Sequence, residues 1–202
     1  LNFEQTIKLL QCRGRFMQSA VPKGKGGMLA VLGADIQKIN DIIFKNQKNF
    51  RCYVANDNSI GQVVVSGNLN DLNKFSEELK KNKIKNIALP VSAPFHCELM
   101  RSATDKMSEK LSNVEFKNPI IKIFSNVTAQ PTNNPSEIKN LLIKQIESPV
   151  RWREIVTNMI DLKVEKFVEI GPGKVLSGLV KRINSNVELI QINELEDINK
   201  LI

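Results

Sequence analysis

One histidine, His96, occurs in the 202 residues. It sits in the run Leu89-Pro90-Val91-Ser92-Ala93-Pro94-Phe95-His96-Cys97, which predicts a strand passing directly into a helix, with Pro94 in the first helical turn. There the ring faces the positive end of the helix dipole, which disfavours the imidazolium, and a neutral imidazole is what a general base requires. A helix cap or a partly buried spacer is the plainer use of such a residue. A base of this kind serves nucleophilic acyl transfer, yet no Gly-x-Ser-x-Gly segment exists in the chain. Cys97 is a poor substitute nucleophile, because consecutive helical residues point about 100 degrees apart; structural burial is its expected role.

Three further places could carry chemistry. Arg13, in Gln11-Cys12-Arg13-Gly14-Arg15-Phe16-Met17-Gln18, falls on the flank of an apolar stripe. Partly desolvated, it calls for a carboxylate, supplied either by a structural ion pair or by a ligand. Gly14 beside it costs about 1 kcal/mol in a helix relative to alanine and suggests close packing or access. Gln145 stands where the series Ile138, Leu141, Leu142 calls for a fourth apolar residue, in the last turn before Pro149. Main-chain carbonyls there lack helical partners and one could orient a histidine; a buried amide satisfying its own surroundings is the alternative. Gly171-Pro172-Gly173-Lys174 follows a strand and opens a helix, but its spacing matches no phosphate loop, and a tight strand-to-helix turn suffices.

The composition suits a soluble α/β domain, with 42% hydrophobic residues. Lys and Arg exceed Asp and Glu by 29 to 21, a net charge of +8, which favours an acidic partner without choosing one. The three cysteines are widely spaced, so neither a disulfide framework nor a zinc site is expected, and no metal. No apolar run approaches the roughly 20 residues of a membrane span, and Leu1-Asn2-Phe3-Glu4-Gln5 lacks the character of a signal peptide. The expectation is a cytoplasmic protein without a membrane partner.

The elements that must position these residues follow from periodicity. A helix over residues 2–19 opens with an Asn2/Gln5 capping box and carries Phe3, Ile7, Leu10 and Met17 on one face. Next come a strand at 28–32, a helix at 35–45, strands at 51–55 and 62–66 around the turn-forming residues 56–61, a helix at 69–81, and a strand at 84–91. This β-α-β-β-α-β order is ferredoxin-like. Beyond His96 a helix carries Met100, Ala103, Met107 and Leu111. A strand at 120–125, two helices, a strand at 166–170, a helix at 174–183 and a strand at 187–192 complete the series. Such alternation predicts a mainly parallel sheet flanked by helices. The organisation expected is a helix at 1–26 belonging to a large α/β subdomain, an inserted small subdomain at 27–90, and the rest of the large one at 91–202. No strand precedes residue 28, so the large layer is expected to be incomplete at its N-terminal side. RNA binding by the small unit is disfavoured, since Gln62-Val63-Val64-Val65-Ser66 offers no aromatic to stack a base.

Taken in order, Arg13-Gly14-Arg15-Phe16-Met17-Gln18, the run from Asn58 to Gly67, Pro90 to Met100, Gln145, Pro149-Val150-Arg151-Trp152 and Glu169 to Leu176 resemble the malonyl-CoA:acyl carrier protein transacylase family over essentially the whole chain. The resemblance implies an α/β-hydrolase-like acyltransferase core and malonyl transfer in fatty acid biosynthesis. In this ping-pong reaction a serine in a Gly-His-Ser-Leu-Gly elbow takes malonyl from coenzyme A and passes it to the phosphopantetheine thiol of acyl carrier protein. His96 corresponds to the family's base, Gln145 to the residue whose main-chain carbonyl holds it, and Arg13 to the arginine that grips the malonyl carboxylate. Phe95 fits the malonyl-type pattern better than the branched-acyl one, and Asn58 and Gln62 are implied to line the cleft between subdomains. No bound cofactor is implied; malonyl-CoA is substrate, acyl carrier protein the acidic partner, nucleic acid none, and a monomer is expected. The elbow serine and oxyanion donors correspond to nothing in this chain, so it is expected to be inactive alone. The alternative is a non-catalytic module that binds the carrier protein.

Overall fold

The computed structural model describes residues 1–201 of the chain. Helix α1 (Phe3–Ser19) starts at the expected capping box, Asn2 Oδ1 accepting from Gln5 N at 2.8 Å and Gln5 Oε1 from Asn2 N at 3.2 Å. Strand β1 (Gly26–Leu32), α2 (Ile36–Lys45), β2 (Cys52–Ser59), β3 (Gln62–Asn68), α3 (Leu69–Lys81) and β4 (Lys85–Ala88) follow in the expected order. They form a four-stranded antiparallel sheet in the order β2-β3-β1-β4. Helices α2 and α3 cover one face through Ile39, Ile42, Leu72, Phe75 and Leu79, packed on Leu29, Val31, Val63 and Val65. Side chains alternate across each strand, so Met28, Ala55 and Val64 form a smaller cluster with Leu89 and Phe95.

After β4 the chain runs through a loop into a 3-10 turn (Glu98–Met100), α4 (Arg101–Ser112), β5 (Ile123–Phe124), β6 (Pro131–Thr132), α5 (Pro135–Lys144) and α6 (Trp152–Asp161). β7 (Lys166–Ile170), α7 (Val175–Ile183), β8 (Glu188–Ile192) and a 3-10 helix (Leu195–Leu201) close the series. Helices α1, α4 and α5 share a second core, in which Met17, Ala93, Met100, Ala103, Met107, Leu111 and Ile146 are buried. The chain is thus an α/β fold. No helix among the described residues is long and apolar enough to cross a membrane.

Several boundaries differ from the sequence expectation. Residues 56–59 are not a turn: β2 continues through them with two register irregularities, between Val54 and Asn56 and between Asp57 and Ser59, and the turn is confined to Ile60 and Gly61 (φ 72°). The polar run stays extended because its outer edge is paired, Asp57 N donating to Val150 O at 2.9 Å and Val150 N to Ala55 O at 2.8 Å. Strand β4 stops at Ala88, with one more ladder bond from Leu89 N to Met28 O, because Pro90 has no N–H to continue it. The strand expected at 120–125 is reduced to β5, paired antiparallel with β6, and Ile120 and Ile121 are exposed. Of the expected parallel sheet, the described residues show one two-stranded pair, β7 with β8. In α1 the helix is as expected but its burial is not, for Met17 alone is buried while Phe3, Ile7 and Leu10 face outward.

Candidate active site

His96 is not in a helical turn. It occupies the loop between β4 and the 3-10 turn, in the left-handed region at φ 61°, which few non-glycine residues adopt. Such a conformation persists only where the surroundings over-determine it, and here they do. Ala93 and Pro94 are buried, and Pro94 packs so closely on Gly26 of β1 that a Cβ on that glycine would lie 2.4 Å from the Pro94 Cδ. On the other side, Gln18 Nε2 at the end of α1 donates to Ser92 Oγ at 2.7 Å. Cys97 Sγ donates to Pro94 O at 3.2 Å, and Phe95 is packed against both the α1/α4/α5 core and the cluster of Met28, Ala55 and Val64. The loop is therefore clamped between the sheet and the helical layer.

The imidazole Nδ1 lies 3.1 Å from the main-chain oxygen of Gln145. A carbonyl oxygen only accepts, so Nδ1 carries the proton and the neutral ring presents Nε2 as its lone pair. The side-chain Nε2 of Gln145 is also 3.5 Å from Nδ1, but two donors cannot share a bond and the carbonyl contact is the one retained. Gln145 is the C-cap of α5, where a carbonyl has no helical partner, and Asn134 with Pro135 sets that helix in place. The pKa of His96 is held below the ordinary histidine value foremost by burial, with the nearby Arg13 charge adding to the effect. Main-chain hydrogen bonds at Gln145 and Ser148 oppose it. The neutral ring expected from sequence is thus present for another reason: desolvation replaces the helix dipole as the cause.

Arg13 on α1 is half-buried, its pKa lowered by desolvation. It makes no ion pair and no hydrogen bond among the described residues, so the structural ion pair considered from sequence is not formed. Its charge nevertheless acts on His96, which brings Arg13, His96 and Gln145 into one locality. Close packing does not explain Gly14, since a Cβ there would meet nothing within 4 Å. Asn58 and Gln62 are half-buried on β2 and β3, and no contact among the described residues joins them to His96. Gln62 instead accepts a hydrogen bond from Arg182 of α7.

Other groups are absorbed by structure. Cys52 is pushed up to about 12 and Cys97 is also raised, both chiefly by burial, which leaves their thiols protonated. At the glycine turn before α7 the helix-start donors of Leu176 and Ser177 are already taken, because Glu169 of β7 accepts from Leu176 N at 3.0 Å and from Ser177 N and Oγ at 2.7 and 2.6 Å. Burial raises the Glu169 pKa, but these three bonds together outweigh it and the net shift is downward. Sequence reasoning overlooked the Gly26–Pro94 contact and the buried Asp57 carboxylate, paired with Arg153 at 2.7 Å. Asp57 and Arg153 stand 96 residues apart, and only the turn-like look of residues 56–59 hid the first.

Fold and site together define an α/β protein in which a half-buried guanidinium without an ion pair acts on a neutral, oriented imidazole. The chain belongs to the acyl transferase domain family, which matches residues 1–194. A malonyl CoA-acyl carrier protein transacylase of Bacillus subtilis (strain 168) is 40% identical over 200 residues, covering 98% of this chain and 63% of that protein. The crystal structure of the malonyl CoA-acyl carrier protein transacylase from Clostridium perfringens ATCC 13124 superposes with a TM-score of 0.95 at 39% identity, over 100% of this chain and 64% of that one. A malonyl-transacylase solved in complex with its type II PKS acyl-carrier protein gives a TM-score of 0.94 at 33% identity, over 99% and 65%. The chain spans just under two thirds of the length of these relatives.

Proposed function

We propose that this chain carries the acid-base and carboxylate-binding part of an S-malonyltransferase that moves malonyl from coenzyme A to the phosphopantetheine thiol of acyl carrier protein in fatty acid biosynthesis. The observation that carries the reading is the unpaired, half-buried Arg13 beside His96, whose Nδ1 is fixed by the Gln145 carbonyl. In this mechanism the nucleophile is a serine that the chain itself does not offer in an elbow motif. His96 Nε2 takes the proton from that hydroxyl as it attacks the thioester and returns it to the departing coenzyme A thiol. In the second half-reaction Nε2 takes the proton of the phosphopantetheine thiol as its sulfur attacks the malonyl-serine ester, and returns that proton to the serine oxygen as the ester bond breaks. Gln145 acts through His96 by fixing its tautomer, and Arg13 grips the free carboxylate with a fork of donors. An acetyl group would leave that guanidinium desolvated and unpaired, which favours malonyl. Phe95, Asn58 and Gln62 complete the substrate cleft, and residues 27–90 form the inserted ferredoxin-like subdomain within an α/β-hydrolase-like core whose sheet is mainly parallel. The names of the relatives support these substrates and the acidic partner, and the net charge of +8 suits that partner. The protein works as a cytoplasmic monomer without a bound cofactor.

Alone, the chain is expected to form no malonyl adduct when incubated with malonyl-CoA and weighed intact; a stable adduct would reveal a nucleophile within it. Supplied with a polypeptide bearing the Gly-His-Ser-Leu-Gly elbow, it is expected to transfer labelled malonyl to acyl carrier protein. His96→Ala should then abolish transfer and Arg13→Ala should erode the preference for malonyl over acetyl. Transfer that is indifferent to His96→Ala overturns the reading.

A further inference from the structure

The left-handed turn at His96 is held on its N-terminal side by Pro94 against Gly26, and a second hold lies on its C-terminal side. Glu98, two residues on, reaches back to the four-stranded sheet. Its Oε1 accepts from the Tyr53 hydroxyl of β2 at 2.5 Å. Arg51 Nη2, just before β2, lies 2.8 Å from that oxygen and 3.0 Å from Oε2. The Arg51 guanidinium in turn sits 5.9 Å from the centre of the Tyr53 ring. Hydrogen bonds to an ionised carboxylate are about twice as strong as neutral ones, so two converging donors fix where Glu98 stands.

The segment that carries the partner of the imidazole has an anchor of its own. Glu147, two residues after Gln145, is paired at 3.2 Å with Arg101, five residues after His96. Nδ1 to Gln145 O and Arg101 to Glu147 thus join residues 96–101 and 145–147 at both ends. These contacts keep the segments side by side but leave free the turn between them, where φ passes from 61° at His96 to −148° at Cys97. A residue in the left-handed region stays there only if its surroundings hold it. Glu98 supplies that hold at the end of the turn that Pro94 does not reach.

The Arg51 side chain is 71% exposed and that of Glu98 45%, and pairs so open to solvent add little to global stability. Placing the ring is a smaller task, since about 1 Å of drift breaks the 3.1 Å contact with Gln145. We propose that Glu98 is a positioning residue for His96: anchored on Tyr53 and Arg51, it fixes the turn that points Nδ1 at the Gln145 oxygen, and so ties the orientation of the base to the sheet. Its place in catalysis rests on the acyl-transfer reading; its effect on the imidazole does not.

The test uses the full chain. With one histidine, long-range proton–nitrogen NMR at about pH 8, where the ring is neutral, reads the ratio of the two tautomers. Glu98→Ala should lower the ratio of Nδ1–H to Nε2–H about threefold or more, part of the roughly tenfold that one hydrogen bond to a charged group can supply. Tyr53→Phe should act in the same sense, and the two together should do no more than Glu98→Ala alone. Glu98→Gln, whose amide oxygen still accepts from Tyr53, should fall between Glu98→Ala and the parent. Urea midpoints should stay at the parent's value, an outcome that a merely structural role would not give. Glu77→Ala, which removes an exposed pair with Lys80 on α3, should change neither readout. A ratio unmoved by Glu98→Ala, additive effects of Glu98→Ala and Tyr53→Phe, or a ratio that moves only together with a fall in the urea midpoint each overturns the proposal. Malonyl transfer is read on the same variants with the elbow-bearing polypeptide added, where kcat should fall about as much as the tautomer ratio and KM for malonyl-CoA should hold. Shifted tautomers with no transfer even by the parent sink the catalytic reading alone. Transfer by the parent with tautomers indifferent to Glu98→Ala sinks the positioning role alone.

Discussion

Replacing Gly26 by alanine tests whether the sheet sets the position of His96. The added methyl would lie 2.4 Å from Pro94 Cδ and 2.6 Å from its Cγ, about 1 Å or more inside the 3.5–4.0 Å at which carbon atoms rest. Pro94 and Ala93 are buried, and Cys97 Sγ is bonded to the Pro94 carbonyl, so the strain passes along the loop. A displacement of about 1 Å carries Nδ1 from 3.1 Å to beyond hydrogen-bond range of the Gln145 oxygen. Overpacking of this kind costs about 2 kcal/mol, partly offset by the smaller entropy of the unfolded alanine chain. Gly14→Ala is the matched control: nothing lies within 4 Å of its Cβ, and the helix should gain about 1 kcal/mol. With one histidine in the chain, nitrogen NMR reports His96 without assignment. Gly26→Ala should mix the two neutral tautomers and lower the urea midpoint, whereas Gly14→Ala should raise the midpoint and leave the ring signals unmoved. Ring nitrogen shifts that are the same in Gly26→Ala and the parent would refute the clamp.

Two further outcomes are expected. Burial holds the folded-state pKa of His96 below its ordinary 6.5, so the unfolded chain binds the proton first as pH falls. The associated stability is whole above about 6.5 and is lost as pH falls through the folded pKa. Urea midpoints should therefore drop between about pH 7.5 and pH 5.5. They should drop less in His96→Asn, and equal slopes would remove His96 as the cause. Arg153→Ala leaves the buried Asp57 carboxylate without its partner. The loss should be about 2–3 kcal/mol by urea unfolding, below the 3–5 of a fully buried pair because Arg153 is partly exposed; a change under about 0.5 kcal/mol would show the pair to be ornamental.

What sequence made legible was whatever local physics determines. The α1 capping box, the Asn134-Pro135 start of α5, the amphipathic faces of α2 and α3 and the order of β1 to β4 all depend on residues a few positions apart. The nearness of Arg13, His96 and Gln145 was reached through collinear motifs, because spacing alone left each with a structural alternative. What sequence hid was non-local. Residues 56–59 look like a turn and are extended, since Val150 pairs with them from almost a hundred positions away. The segment at 120–125 has strand composition but almost no ladder, because ladder bonds need a neighbour. The neutral His96 was expected from a helix dipole and is produced by burial, a property of packing.

The pairing of Val150 with Ala55 and Asp57, and the Arg153 ion pair beside it, also constrain the order in which the chain assembles. During synthesis the strands β1 to β4 and their two helices emerge together, but the outer rim of β2 gains its partner only once residue 153 has left the ribosome. Until then that rim is an open edge, the kind that recruits neighbouring chains. The two register irregularities of β2 bend that rim, and a bent edge is a poorer template for a neighbouring strand than a flat one.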